Sequence, residues 1–217
     1  MAGILAIWHD LEEAAEDLYE RWLVTEHIPE RLALPGFLEA RRYETTTGSP
    51  RYFIRYEVAS PDALASPEYL ARLASPTPLT REVMKAFRNM VRTACVLDYR
   101  SPWPAIGACA VAAYAETPAV NHEAALRRSA TALARDPHAL GVQVWRAVQG
   151  PAGATSSEAK LRPGGDRRIE TAVIVDVMRE EDGWGLEDRA RAALLDGPDA
   201  RIHACTYRLL GAWRKGS

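Results

Sequence analysis

His27 is the residue whose type and position best suit proton-transfer chemistry. It lies near the predicted end of the first helix, directly after Glu26 and four residues before Arg31. An imidazole with an ordinary pKa of about 6.5 can give or take a proton at neutral pH. The neighbouring carboxylate of Glu26 would orient the ring and raise its pKa. The alternative is a helix-terminal histidine that only interacts with the helix dipole, with Glu26 and Arg31 as exposed charges.

The end of the first predicted strand supplies a second candidate, His9. Side chains alternate along a strand, which places Trp8 and Asp10 on one face and His9 on the other. Asp10 either belongs to a site or caps the helix that follows. The candidate ligand-binding residues are Trp8, His9, Glu26, Arg31 and Tyr56.

Two adjacent arginines occupy the middle of the second predicted strand. Arg41 and Arg42 must point to opposite faces, so one of them faces either the helices or a cavity. A buried guanidinium needs an anionic partner. That partner is either a protein carboxylate, Glu26 or Glu57, or a carboxylate or enolate of a substrate. In the second case Arg42 or Tyr43 would stabilise a developing oxyanion. The candidate catalytic residues are therefore His27, Arg42 and Tyr43.

Composition and charge exclude several classes of function. The 217 residues include 27 Lys+Arg and 29 Asp+Glu, and the formal charge of −2 is not the basic surface that a nucleic-acid binder needs. No apolar run approaches the roughly 20 residues that span a bilayer. The scattered Cys95, Cys109 and Cys205 indicate buried thiols in a reducing cytosol. We expect a cytoplasmic protein that binds neither nucleic acid nor membranes.

The sequence also lacks the common cofactor and metal motifs. It contains no G-x-G-x-x-G, P-loop, H-E-x-x-H or G-x-S-x-G pattern and no paired cysteine ligands. His9 and His27 are the histidines most easily brought together, and two residues do not define a metal site. We therefore expect neither a metal nor a cofactor.

The order of predicted elements repeats along the chain. The predicted strands span residues 4–10, 37–46, 51–58 and 90–99, then 106–115, 141–148, 170–178 and 202–210. The predicted helices span residues 11–25 and 80–87, then 121–134 and 186–195, with Thr80 and Asn121 as N-caps. Pro29 should end the first helix near His27 or Ile28. Residues 150–168, rich in Gly, Ser, Ala and Pro, predict a mobile surface loop.

Each repeat is a strand-helix-strand-strand-helix-strand unit, which is the ferredoxin-like arrangement. Pro102 and Pro104 interrupt the chain between the repeats, so the predicted halves are residues 1–101 and 102–217. Such a sheet leaves one face bare, and the tandem copy would cover it if the two sheets pack face to face. We predict an α+β fold of this kind with a barrel-like ligand cavity between the sheets. The alternative is two such domains side by side.

One stretch of the first half resembles a known family. Residues 22–31 read WLVTEHIPER and residues 34–43 read LPGFLEARRY. This is similar to the W-Y-x-x-E-H-x-P-E-R and x-P-G-F-x-x-A-R-R-Y patterns of the EthD-like branch of the dimeric α/β-barrel superfamily. Leu23 departs from the pattern, because relatives often have an aromatic residue there. The resemblance covers about residues 1–100 and implies ferredoxin-like units that pair into a barrel, here as a tandem duplication within one chain.

The resemblance leaves the reaction open. The superfamily includes cofactor-free monooxygenases, muconolactone isomerases, polyketide cyclases, haem enzymes and dehydratases, so the fold alone does not choose among them. The second half lacks the motif, which places the expected site in the first half.

The sequence supports two functional interpretations. The first is a cofactor-independent enzyme of isomerase, cyclase, dehydratase or decarboxylase type. In it, His27 moves a proton next to the carbonyl group of a hydrophobic, aromatic or polyketide-like substrate. The second is a non-catalytic barrel that binds a small apolar ligand or serves as an accessory protein. Exposed sheet edges would also allow a homodimer.

Overall fold

The computed structural model describes residues 1–117, 123–148, 156–194 and 201–216. Within these residues the strands are β1 (Gly3–Leu11), β2 (Phe37–Glu44), β3 (Tyr52–Val58), β4 (Phe87–Arg100), β5 (Cys109–Ala115), β6 (Ala139–Ala147), β7 (Thr171–Val177) and β8 (Ile202–Arg214). The α-helices are α1 (Glu16–Trp22), α2 (Ile28–Ala33), α3 (Pro67–Ala74), α4 (Pro78–Val83), α5 (Glu123–Leu133) and α6 (Glu180–Leu194). The predicted Asn121 cap and the start of the predicted 150–168 loop lie outside the described residues.

The strands close into one antiparallel barrel. Their order around it is β1-β3-β2-β8-β5-β7-β6-β4, and β4 pairs again with β1. The first four strands meet the last four at two seams, β2–β8 and β4–β6. The predicted α+β barrel is confirmed. Each described strand is paired on both sides, so the exposed sheet edges that suggested a homodimer are not found in this part of the chain.

Side chains fill the middle of the barrel. Trp8 stacks on Phe53 with 4.7 Å between ring centroids and approaches Tyr114 of β5 at 4.6 Å. All three side chains are buried, together with Trp145 and Tyr207. An eight-stranded barrel is just wide enough for its side chains to occupy the interior. Aromatic rings take up the middle of the barrel, so the predicted ligand cavity is not found there. A cavity of about 330 Å³ lies instead at one end of the barrel, lined by residues of both sets of strands, among them Arg41, Gln143 and Asp176.

The outer face of the barrel carries two further apolar layers. Leu5 and Ile7 of β1 pack outward against α1–α4, whereas Ile4, Ala6 and Trp8 point inward, as the alternation along β1 predicts. On the other side, α5 and α6 cover the outward-facing valines and alanines of β5, β6 and β7. The fold thus consists of a barrel with a filled middle and helices on its outer surface, and the space between those layers is a second place for a cavity.

The first helical region does not end before Pro29. A π-helical turn, Leu23–His27, follows α1 directly and leads into α2, which contains the proline. The Ile28 N–H donates to the Leu23 carbonyl, five residues back rather than four. Pro29 lacks an N–H and its ring clashes with the regular helical ladder, and the wider turn accommodates it without breaking the helix. His27 is the last residue of this turn, so the correction bears directly on the candidate site.

Residues 156–168, here called the covering segment, lie over the outer face of the first four strands. The Glu158 N–H donates to the Leu73 carbonyl at 3.1 Å, and the Arg167 N–H to the Met90 carbonyl at 2.9 Å. Glu158 and Arg162 are both buried. The prediction of a mobile surface loop is wrong for these residues. Long-range ion pairs and apolar contacts hold them in place, although their composition is typical of loops.

Smaller differences concern caps and thiols. Thr77, not Thr80, caps α4, and its hydroxyl accepts a hydrogen bond from the Thr80 N–H at 3.0 Å. The three cysteines are unpaired and buried, as predicted. Among the described residues no helix is long and apolar enough to cross a membrane.

Asp10, near the end of β1, binds the β2–β3 connection and the start of β4 rather than capping a helix. Its carboxylate accepts hydrogen bonds from the Ser49 hydroxyl and the Arg51 N–H, both at 2.6 Å, and from the Asn89 amide at 2.7 Å. Burial acts to raise the pKa of Asp10, but these hydrogen bonds outweigh it and lower the pKa.

We expect Asp10→Ala to lower the free energy of unfolding by about 2 kcal/mol, because hydrogen bonds to a charged group contribute more than neutral ones. Urea denaturation at pH 7 measures the change. Asp17→Ala, at an exposed carboxylate, is the control and should change stability by less than about 0.5 kcal/mol. Equal effects of the two substitutions would contradict the assignment.

Candidate functional site

A small cavity of about 30 Å³ lies between the outer face of the first strands and the layer above it. Its apolar walls come from β1, β3 and the start of β4, and the helical layer adds Trp22, Leu73 and Met84. Its polar lining consists of His9, His27, Arg31, Arg92, Glu158 and Arg162. This is the place in the N-terminal region where ionisable groups and an apolar space meet.

His27 faces this cavity from the π-helical turn. The residue is 7% exposed. Its ring centroid lies 4.2 Å from that of Trp22 and 6.1 Å from that of Tyr56. No hydrogen-bond partner for the imidazole occurs among the described residues. Burial lowers its pKa well below the ordinary value, and the positive charges of Arg31, Arg92 and Arg162 lower it further. The imidazole is therefore neutral at pH 7, with ring nitrogens that are not committed to another side chain.

Glu26 does not take part in this site, although it precedes His27. Its carboxylate accepts hydrogen bonds from the hydroxyls of Thr77, at 2.5 Å, and Thr80, at 2.8 Å. Thr80 in turn accepts a hydrogen bond from the Trp22 indole at 2.9 Å. Glu26 thus joins the first helical region to α4. The expectation that it raises the pKa of His27 is wrong, because the charges around the imidazole are those of arginines.

Arg31 lies in the cavity wall one helical turn beyond His27. Its Nη2 donates to a Glu158 carboxylate oxygen at 2.8 Å, and Arg162 Nη1 lies 3.8 Å from the other oxygen. Arg31 Nη1 is buried without a hydrogen-bond partner. Arg162 is also paired with Asp166 at 2.5 Å. One carboxylate from the covering segment therefore sits between two arginines at the edge of an apolar space.

Tyr56 and Arg92 lie on the strands below these groups. The Tyr56 ring is fully buried and its hydroxyl has no hydrogen-bond partner in the described part of the chain. Burial raises the pKa of this hydroxyl, so it stays protonated. The Arg92 guanidinium donates a hydrogen bond to the Tyr69 hydroxyl, and this bond holds Arg92 at the cavity. The Tyr56 ring contacts that of His27 edge-on, with 6.1 Å between the ring centroids, but Tyr56 does not line the cavity.

His9 lines the cavity but its ring nitrogens are occupied. Nε2 lies 3.0 Å from the Tyr19 hydroxyl and Nδ1 lies 3.2 Å from the Asp10 carbonyl oxygen. Complete burial lowers the pKa of His9 to about 3. A neutral imidazole held on both sides is suited to positioning its neighbours, and His27 is the better candidate for proton transfer.

Two predicted catalytic residues lie away from His27. Arg42 faces the helices, but both of its terminal nitrogens donate to Glu20, and its guanidinium lies over Tyr19 and Tyr52, 5.1 Å from each ring centroid. Tyr43 points into the barrel, where its ring stacks on Phe53 at 5.1 Å. Adjacent positions of a strand face opposite ways, so these two side chains cannot meet in one site. The structure brings neither of them together with His27.

Three residues of the cavity were missed in the sequence, Arg92, Glu158 and Arg162. Arg92 lies in a strand whose pattern gave no reason to single out one arginine. Glu158, Arg162 and Asp166 are spaced four residues apart, which is an ion-pairing pattern that the loop-like composition obscured. That spacing was the available signal. No group of three or more side chains suited to hold a metal occurs among the described residues.

Comparison with known proteins identifies the fold. No family model and no curated protein matches the sequence. An anthrone oxidase-like protein of known structure is 12% identical with a TM-score of 0.59, covering 100% of this chain and 94% of that chain. A proposed monooxygenase from Fusobacterium nucleatum is 8% identical with a TM-score of 0.61, covering 99% and 95%. One from Lactobacillus acidophilus is 9% identical with a TM-score of 0.54, covering 99% and 97%. The chain therefore has the fold of the dimeric α/β-barrel superfamily.

Proposed function

We propose that this protein is a small-molecule enzyme that removes a proton from a carbon next to a carbonyl group, with His27 as the base. The observation that carries the proposal is the neutral His27 imidazole, free of hydrogen bonds to described residues, on the wall of an apolar cavity that also contains arginines. The apolar walls favour a hydrophobic, aromatic or polyketide-like substrate.

The arginines give the proton transfer its electrostatic support. When the C–H bond breaks, the proton goes to a nitrogen of His27 and the electron pair moves to the carbonyl oxygen as an enolate. Arg92 would stabilise that oxyanion in a site of low dielectric. The positive charges lower the basicity of His27, but they also lower the pKa of the C–H group because they stabilise the enolate. The difference between these two pKa values, which drives the proton transfer, is therefore kept. Return of the proton to a different carbon completes an isomerisation.

A second candidate function is oxygenation, favoured by the names of the structural neighbours. The proteins that share this fold include an anthrone oxidase-like protein and proposed monooxygenases. The deprotonated carbon would bond to dioxygen through its electron pair, and the proton on His27 would pass to the resulting peroxide anion. Both candidates share the first step, and oxygen uptake distinguishes them. A barrel that binds a ligand without turnover remains the alternative to both.

We also infer that the barrel consists of two tandem ferredoxin-like halves, residues 1–101 and 102–217. The support is the strand order: β4-β1-β3-β2 in the first set and β8-β5-β7-β6 in the second. Both sets follow the same pattern of fourth, first, third and second strand. Only the first set carries the cavity with His27, which agrees with a site in one half.

Hydrogen–deuterium exchange at the carbon next to the carbonyl group of phenylpyruvate, an aromatic acid, tests the role of His27. We expect the wild-type protein to accelerate exchange in D₂O, as measured by mass spectrometry. His27→Gln should slow it at least about 100-fold, because a positioned base contributes 10² or more to such a step.

The exposed His138 supplies the control, since His138→Gln should exchange like the wild type. The melting temperature of His27→Gln should stay close to that of the wild type. Unchanged exchange in His27→Gln would refute the proposal, and a joint loss of exchange and folding would identify a structural histidine.

A further inference from the structure

The cavity beside His27 is too small for the ligand that its lining suggests. Its volume of about 30 Å³ holds roughly two water molecules, whereas a cavity that binds benzene measures about 150 Å³. An aromatic compound can enter only if part of the wall moves. The wall has two kinds of components: side chains on the barrel and helices, and the covering segment.

The covering segment is the part of the wall with the fewest attachments. Within the described residues, one backbone hydrogen bond, from Glu158 to Leu73, joins residues 156–166 to the layer below. Its other attachments are side-chain contacts, chiefly the Arg31–Glu158 ion pair and a 3.4 Å contact of Arg162 with the Met84 sulfur. By contrast, Arg167 is joined to β4 by two backbone hydrogen bonds of 2.9 Å, with Met90 and Arg92. Movement of residues 156–166 about Arg167 is therefore the smallest change that opens the cavity.

The Glu158 carboxylate occupies the place of an anionic ligand group. It is buried, it pairs with Arg31 at 2.8 Å, and it lines the cavity together with His27. Arg31 Nη1 has no partner, so the guanidinium has an additional donor for a carboxylate that approaches from the cavity. A planar guanidinium binds a carboxylate best through two parallel hydrogen bonds, and Glu158 uses one.

We propose that Arg31 is a carboxylate-binding subsite, occupied by Glu158 when the cavity is empty and by the carboxylate of an aromatic acid when a ligand displaces the covering segment. This inference rests on the proposed function for the role of the cavity, and it adds the substrate class. Exchange of one carboxylate for another keeps Arg31 paired. A neutral ligand would leave a buried charge without a partner, which is strongly unfavourable. The covering segment thereby selects for aromatic acids.

The test compares two probes of the same shape, 2-naphthoate and the neutral 2-naphthamide. Glu158→Gln removes the competing charge and leaves Arg31 in place. We expect this variant to bind 2-naphthoate at least about tenfold more tightly than the wild type by isothermal titration calorimetry, with little change for 2-naphthamide. 2-Naphthol, as a third probe, shows whether a phenolic oxygen can replace the carboxylate.

Two further variants isolate the contribution of Arg31. Glu116→Gln is the control. Glu116 pairs with Arg167, which belongs to the covering segment but does not line the cavity, so this variant should bind both probes like the wild type. The double variant Arg31→Gln/Glu158→Gln lacks both charges of the Arg31–Glu158 pair and should lose the preference for 2-naphthoate. Equal binding of 2-naphthoate to the wild type and Glu158→Gln, or an equal gain for 2-naphthamide, would overturn the proposal.

A measurement on the wild-type protein keeps the proposal testable if Glu158→Gln does not fold. Lys160 is exposed on the covering segment, and trypsin can cut after it only when the segment leaves the barrel. We expect 2-naphthoate, and not 2-naphthamide, to increase this cleavage, and equal cleavage with both would refute the displacement. These binding measurements need no turnover. Binding without His27-dependent exchange would refute the proposed function alone, and exchange without discrimination between the probes would refute this inference alone.

Discussion

Lowering the pH from 7 to 5 is expected to reduce the free energy of unfolding by at least roughly 2 kcal/mol. The cause is the burial of His9 and His27 in their neutral forms. Burial lowers the pKa of His9 to about 3 and that of His27 well below its ordinary value. In the unfolded chain both histidines take up a proton below about pH 6.5, and in the folded chain they do not.

The sign and size follow from the difference in bound protons. Below about pH 6.5 the unfolded state binds more protons, so stability falls as the pH falls. A histidine that stays neutral in the folded chain contributes about 1.4 kcal/mol per pH unit, so His9 alone gives roughly 2 kcal/mol at pH 5. The lowered pKa of His27 adds to this loss. His203, with a pKa lowered by burial to about 4, acts in the same direction. Burial raises the pKa of Asp176, which opposes the effect.

Urea denaturation at several pH values between 7 and 5 measures this dependence. The slope of stability against pH should decrease in His9→Gln and in His27→Gln by about one proton each. A wild-type stability that is flat over this range would show that the two imidazoles are not buried in their neutral forms.

Trp8→Ala is expected to lower the free energy of unfolding by about 4 kcal/mol, because it removes a large side chain that is fully buried. The indole packs on Phe53 of β3 and on Tyr114 of β5, so it contacts strands from both sets of four. The cavity left behind would therefore weaken the barrel on both sides. We expect amide hydrogen exchange to accelerate in β3 and in β5 alike.

Trp184 provides the matched control, since its side chain is 55% exposed. Trp184→Ala should change stability by less than about 0.5 kcal/mol. If Trp8→Ala accelerates exchange in the first four strands and leaves the last four unaffected, the two sets fold independently, contrary to the closed barrel. An effect of Trp8→Ala as small as that of Trp184→Ala would show that the indole is not a core residue.

Local pattern was sufficient to predict the α+β barrel. The alternation of Ile4, Ala6 and Trp8 with Leu5 and Ile7 gave the two faces of β1 correctly. The strand and helix order repeats along the chain, and the barrel followed from the need to cover a bare sheet face. These inferences depend on periodicity, which is a property of neighbouring residues.

The remaining features depend on contacts between residues far apart in the sequence. Nothing near Glu158 indicates that its partner is Arg31, 127 residues earlier. Arg42 and Tyr43 belong to the family-like motif, but one is paired with Glu20 and the other lies in the barrel. In both cases a tertiary interaction outweighed the local preference. Pro29 predicts a helix end, and a π-helical turn, a local variation of the helix, instead carries the chain through it.

The two seams of the barrel make the connection between β4 and β5 dispensable for holding the strands together. That connection is the one covalent crossing between the two sets of strands, and it includes Trp103, which is 94% exposed. Every backbone hydrogen bond across β2–β8 and β4–β6 would form equally well between two separate polypeptides. A gene fusion and an assembly of two shorter subunits would thus reach the same architecture, and a nick near Trp103 would convert one into the other.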